Sequence, residues 1–106
     1  MDKLVDIFIK QKMFQDKVGS DVHSISFIKD MTLAAIDELL EALREVSWKP
    51  WSKKKFFHST EFKEELVDVL HFFVNLCLAA DMSADELYKR YLQKNKINHK
   101  RQDEGY

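Results

Sequence analysis

The stretch FKEELVDVLHFFVNLCLAA, residues 62–80, decides the fold. Phe62, Leu66, Val69, Phe73, Leu76 and Ala80 step alternately by four and three. That is the spacing of a helix packed along a seam. Val67, Leu70, Val74, Cys77 and Leu78 widen the seam into a broad apolar face. One neighbouring helix does not cover so much apolar surface, so the face calls for several packing partners, another subunit among them. The same stretch carries EELVD, Glu64 to Asp68, and an earlier one carries DELLE, Asp37 to Glu41. Carboxylates crowd twice into apolar, helix-forming sequence.

A helical wheel of about 100° per residue shows the two segments sharing one design. With Glu38 at zero, the apolar residues from Met31 to Val46 fill an arc of roughly 20° to 220°. Glu41 then falls near 300° and Glu45 near 340°, to within about a residue's width. With Glu65 at zero, the apolar residues from Phe62 to Leu78 fill nearly the same arc, and Asp68 and Asn75 fall at about 300° and 280°. Each helix therefore has a wide apolar face with two acids, three residues apart, at one border. A solvated face with i,i+4 pairs is the plain explanation. It fits poorly, because Arg44 and Lys63 are the only bases on these faces. Like charges at i,i+3 share one patch and destabilise it unless a cation binds. Two facing helices would converge four carboxylates, the oxygen-rich set that hard divalent cations such as Mg²⁺ take beside substrate phosphates.

Composition agrees with helices. The 106 residues include two Gly and one Pro, which argues against a loop-rich β fold. Charged residues are 33% and apolar residues 45%, so the chain is neither disordered nor membranous. The net charge of -1 gives no basic field for nucleic acid. A single cysteine, Cys77, excludes an intrachain disulfide and fits a reducing, cytoplasmic setting. Cys77 lies in an apolar run, as a buried structural thiol does. The N-terminal segment lacks a signal-peptide core, and no run approaches the roughly 20 apolar residues of a membrane span. The expectation is one all-α domain over residues 1–106, a four-to-five-helix bundle. Its helices are expected near Asp2–Lys17, Lys29–Val46, Thr60–Ala80 and from the capping box at Ser83 to about Asn98. VHSISFI, residues 22–28, reads either as an irregular connection or as an early helical turn. SWKPWSKKKFFHS is a long loop around Pro50, and the tail KRQDEGY reads as irregular.

E-x-x-E at Glu38 and Glu41, followed on the next helix by E-x-x-D at Glu65 and Asp68, resembles the all-α nucleoside triphosphate pyrophosphatase superfamily. That group includes MazG-type enzymes and the all-α dUTPases. IDELLEALREVSWKPWS, EELVDVLHFFVNLCL and YLQKNKINHKRQDEGY are most similar to the dUTPase branch, the last to its terminal K-N-x-x-N-x-x-R element. The chain departs from those enzymes in being little more than a minimal helical unit.

The resemblance implies a nucleoside triphosphate substrate, dUTP first, with dCTP or a broader range as alternatives. It implies Mg²⁺, with Mn²⁺ as a substitute, held by Glu38, Glu41, Glu65 and Asp68. Glu41 is the expected base toward water, with Glu45 in reserve. Lys94, Asn95, Asn98 and Arg101, with Lys53, are the expected phosphate contacts. A basic helix end that suits the dipole is the alternative for the first four. Gln11 and Gln15 are expected to read the base together with Asn75, and Trp48 and Trp51 to stack on it. Trp48 serves equally well as a plug for the bundle end. A homodimer or homotetramer is implied, with no nucleic-acid or membrane partner. Two other readings compete. Di-iron bundles need E-x-x-H on two helices; Asp68-x-x-His71 offers an acid–histidine pair on one, but the first acidic helix has no histidine. A non-catalytic helical module leaves the repeated acid pairs unexplained.

Overall fold

The computed structural model describes residues 2–105. Four helices follow one another: α1 Lys3–Val18, α2 Ile25–Arg44, α3 Ser59–Ala79 and α4 Ala84–Asp103. No strand occurs among the described residues.

Local chemistry sets the ends. The Asp2 carboxylate accepts from the Leu4 and Val5 amides at 2.8 and 3.1 Å, satisfying two orphan donors of α1. Gly19 ends that helix in the left-handed region, φ 82°, with its N–H bonded to the Gln15 carbonyl. Ser24 Oγ accepts from the Phe27 amide at 3.0 Å, so VHSISFI is the cap and first turn of α2. The helix thus begins at Ile25, four residues before the expected Lys29. Ser83 Oγ accepts from the Glu86 amide at 3.1 Å. Glu86 turns instead to Arg90 Nε at 2.7 Å, so only half of the expected capping box forms. α4 then continues to Asp103, through most of the tail expected to be irregular. Pairs at i,i+4, including Asp85–Lys89 and Lys100–Glu104, line its exposed surface. Tyr106, the last residue of that tail, lies outside the described residues.

The long loop is pinned at its base. Val46 bridges to Phe57, the Ser47 amide donates to the Phe56 carbonyl at 3.0 Å, and the His58 amide donates to the Glu45 carbonyl at 2.8 Å. These bonds bring the ends of α2 and α3 together, and the two helices pack side by side. α1 packs on α3, and α4 touches α1 after a bend of 103° from α3. Where they meet, Phe8, Val74, Cys77 and Ala84 form the core, flanked by Leu4, Val5, Met82 and Leu87. Cys77 is buried there as a packing residue, and burial pushes its thiol pKa up.

That core is small. The radius of gyration is 17.1 Å, against about 13 Å for a compact chain of this length. The accessible surface is 8426 Å², roughly 2,200 Å² more than a compact monomer exposes. Large apolar side chains stand in that surface. Leu33, Ile36, Leu39 and Leu40 on α2, and Leu66, Val67, Leu70 and Phe73 on α3, are each at least 38% exposed. No single helix among the described residues is long and apolar enough to cross a membrane.

The Ser83 cap generates a direct test. Ser83→Ala should lower the unfolding free energy by about 1 kcal/mol in chemical denaturation, by orphaning the Glu86 amide at the start of α4.

Candidate active site

The side-by-side packing of α2 and α3 turns the two acidic borders toward each other. One carboxylate oxygen from each of Glu38, Glu65 and Asp68 lies within 4.8 Å of the other two. Asp68 is exposed, while Glu38 and Glu65 are half-buried. Glu38 Oε2 and Glu65 Oε2 are enclosed and have no hydrogen-bond donor. No lysine or arginine among the described residues forms an ion pair with any acid of the quartet. Two ionised carboxylates facing each other without a donor are unfavourable, and a proton held between them is the remedy the chain itself can supply. The contact with Glu65, then lost hydration, then the charges of Glu41, Glu65 and Asp68, push the Glu38 pKa up to about 7. Glu41 is also raised, chiefly by its own contact with Glu65 and by the charge there. The enclosed, donorless oxygens and the crowding of charge fit a hard divalent cation, which would displace that proton.

An open cavity of about 650 Å³ runs from these acids to a patch of amides. Its size is that of a small-molecule site. Glu38 and Asp68 line it, as do Gln11, Gln15, His71 and Asn75. Asp68 and Asn75 are seven residues apart, about 10 Å along α3, which separates a charged part of the cavity from a neutral polar part. Asn75 is 2% exposed, and Gln11 and Gln15 are each 7% exposed. Gln11 Nε2 donates to Asn75 Oδ1 at 2.8 Å, and Gln15 Nε2 donates to the same oxygen at 3.2 Å. His71 Nδ1 lies 3.0 Å from Gln11 Oε1. Asn75 Nδ2 donates to the Met31 sulfur at 3.3 Å. Phe14, Phe27 and Phe72 supply aromatic wall.

Other expected site residues lie elsewhere. Glu45 Oε2 is 3.0 Å from His58 Nδ1, at the base of the loop and outside the acid cluster. Trp48 and Trp51 pack edge to face at 6.1 Å, and neither lines the cavity. Trp48 lines a separate small cleft with Arg44 and Phe56 and is half-exposed rather than a buried plug. Lys53 sits exposed in the same loop. Lys94, Asn95, Asn98 and Arg101 are exposed on α4, none of whose described residues lines the cavity. The sequence reading passed over His71, Met31, Phe14 and Phe27 as parts of the cavity. A signal for His71 was present: Asp68, His71 and Asn75 stand at i, i+3 and i+7 on one face of α3.

A family model described as dUTPase matches residues 3–84 and, overlapping, 73–106. The chain belongs to the dUTPase family. Its helical architecture is that of the all-α branch. Among characterised relatives, a dCTP pyrophosphatase of Enterobacteria phage LZ5 is 44% identical over 71 residues, covering 56% of this chain and 41% of that protein. A dCTP pyrophosphatase of Enterobacteria phage T4 is 35% identical over 89 residues, covering 70% of this chain and 52% of that protein. A phage T4 DNA replication protein is 32% identical over 79 residues, 20% of its own length. The chain thus spans about half the length of the two pyrophosphatases it matches. No solved structure matches it significantly.

The raised Glu38 pKa has a definite sign. A carboxyl titrating near 7 when folded and near 4.5 when unfolded contributes stability below about 4.5 that is lost as pH rises through 7. Without added metal, the melting temperature should therefore fall between about pH 5 and pH 8, and less steeply in Glu38→Gln. A millimolar divalent cation should restore it at the upper pH and have little effect at the lower one, measured by differential scanning fluorimetry.

Proposed function

We propose that this chain is a Mg²⁺-dependent pyrophosphohydrolase that converts dCTP to dCMP and pyrophosphate. The supporting observation is a cluster of carboxylates sharing one cavity with a triad of buried amides. A nucleotide is charged at one end and carries a flat array of donors and acceptors at the other, and the cavity has matching parts. Family membership supports the reaction. The names of the two phage relatives favour dCTP over dUTP, the substrate expected first from sequence.

Glu38, Glu65 and Asp68 would hold the cation, with Glu41 beside them. Bound Mg²⁺ (or Mn²⁺ in its place) would offset triphosphate charge and make water more acidic. Glu41 would orient that water and take its proton. Without a cation its pKa is raised, chiefly by Glu65, which marks it as part of the same carboxylate cluster. Gln11, Gln15 and Asn75 would read the base. Lys94, Asn95, Asn98 and Arg101 would meet phosphate once assembly or substrate brings α4 to the carboxylates.

Assembly belongs to the same proposal. An excess surface of roughly 2,200 Å² per protomer is on the scale of an obligate interface. Its apolar patches lie on α2 and α3, the helices that carry the acids. A homodimer through these faces would bury them and stiffen the acid cluster. Light scattering should give twice the chain mass, and Leu40→Asp combined with Leu70→Asp should yield a less stable monomer.

Pyrophosphate release from dCTP, dUTP, dTTP, dATP and dGTP, with and without Mg²⁺, tests the reaction. Metal-dependent turnover led by dCTP is expected. Glu41→Gln should lower kcat by about 100-fold or more while the nucleotide still binds. Near-normal turnover in that variant would remove Glu41 from its role. No turnover of any nucleotide by folded protein would defeat the proposed reaction.

A further inference from the structure

The buried amides form a relay whose direction is chemically meaningful. An amide has an acceptor end and a donor end, which its hydrogen-bond partners tell apart. Three amides and one imidazole can close this network in two directions. In the observed direction, His71 Nδ1–H donates to Gln11 Oε1, and both glutamine NH₂ groups donate to Asn75 Oδ1. Asn75 Nδ2 then donates to the Met31 sulfur. In the reversed direction every amide flips. Asn75 Nδ2 would serve both glutamine carbonyls, and His71 would have to accept at Nδ1.

The two directions differ at the Met31 end. A thioether sulfur carries no hydrogen and can only accept, weakly. Reversal would aim Asn75 Oδ1 at that sulfur from 3.3 Å, acceptor against acceptor. Asn75 is 2% exposed, which leaves little room for water to repair the mismatch. Met31 therefore biases the relay toward the observed direction, and His71 completes it with a proton on Nδ1.

Direction matters because the two pyrimidines are opposites. Cytosine offers a donor at its exocyclic amine and an acceptor at N3; uracil offers an acceptor and a donor at the corresponding atoms. Reversing the relay exchanges the groups it shows to a base in a fixed pose. In the observed direction Gln15 Oε1 accepts no hydrogen bond among the described residues, and Gln15 borders both this cavity and a second one lined by Phe8 and Met82. The two enclosed atoms without partners are both carboxylate oxygens, so this carbonyl keeps access to open space.

We propose that Met31 locks the Gln11–Gln15–Asn75 relay, which His71 completes, in the direction that presents the Gln15 carbonyl to the exocyclic amine of cytosine, making Met31 a specificity determinant that favours cytosine over uracil nucleotides. The inference rests on the pyrophosphohydrolase reading of the same cavity. Met31 and His71 are positioning residues, acting through the amides.

Met31→Leu tests the lock, because it keeps the volume and removes the acceptor, a swap cores tolerate well. The readout is the ratio of kcat/KM for dCTP to that for dUTP. Wild type should favour dCTP, and the variant should lose about ten-fold or more of that discrimination, chiefly by gaining on dUTP. Met31→Lys, which puts a donor against Asn75, should shift the ratio further toward dUTP. A wild-type preference for dCTP that is unchanged in folded Met31→Leu overturns the lock and leaves the reaction standing. Equal use of both nucleotides, or a dUTP preference, by wild type overturns it likewise. No turnover by wild type defeats the reaction and the lock together. A second readout needs no catalysis: ¹⁵N–¹H correlation spectra should place the His71 ring proton on Nδ1, and an unprotonated Nδ1 would overturn the inference.

Discussion

Repulsion between carboxylates is the constraint around which this chain is arranged. Glu38, Glu65 and Asp68 on two helices converge, with Glu41 against Glu65, and among the described residues no lysine or arginine pairs with them, while two of their oxygens are enclosed with no donor. A small protein has little stability to set against such a cluster. The cost is bearable because the acids sit at the border of two wide apolar faces, whose packing draws α2 and α3 together regardless of charge. A proton held between the carboxylates would relieve the remainder, and a divalent cation would relieve it more fully. The structure thus combines a strong, non-directional attraction with a local, directional repulsion that a cation can answer.

The same apolar faces explain the open shape. α1, α3 and α4 bury one modest cluster around Val74 and Cys77, which is too small to use the apolar surface the sequence provides. Leucines and isoleucines of α2, and the outward side of α3, remain uncovered. Hydrophobic surface of that extent on a chain of this size is what the proposed homodimer would bury. The acid cluster depends on how firmly α2 and α3 are held, so in the proposed dimer the surface that covers these helices would also govern the site.

Much of this was legible from periodicity. The acids of α2 and α3 were identified because their i,i+3 spacing places them at equivalent borders of two similar wheels. Gln11 and Gln15 stand one turn apart, and Asn75 lies two turns from Asp68, but periodicity alone does not mark them: the family resemblance is what points to these amides. Where periodicity is absent, the reading had less to work with. Trp48 and Trp51 lie in a loop whose path depends on the Val46–Phe57 bridge and on hydrogen bonds between residues distant in sequence. The early start of α2 rests on Ser24, which caps without the glutamate three residues later that makes such a cap visible. α4 outruns its expected end because exposed i,i+4 charge pairs line a helix of low apolar content. Met31 was counted as one apolar residue among many, and its sulfur matters only because Asn75, 44 positions away, folds against it.

The pinned loop has a consequence for how such a chain can grow. Residues 45–58 join the two acidic helices, but the bonds at Val46, Ser47, Phe56 and His58 fix the connection at its base. Residues added near Pro50 would extend the tip beyond that clasp. The entropic cost of a longer loop rises only by about 0.6 kcal/mol per doubling. Insertions there can lengthen the protein, or graft a further element onto it, without moving a carboxylate. The clasp separates a variable margin from a fixed chemical centre, so lineages sharing this hairpin can diverge in size while keeping the same four acids in register.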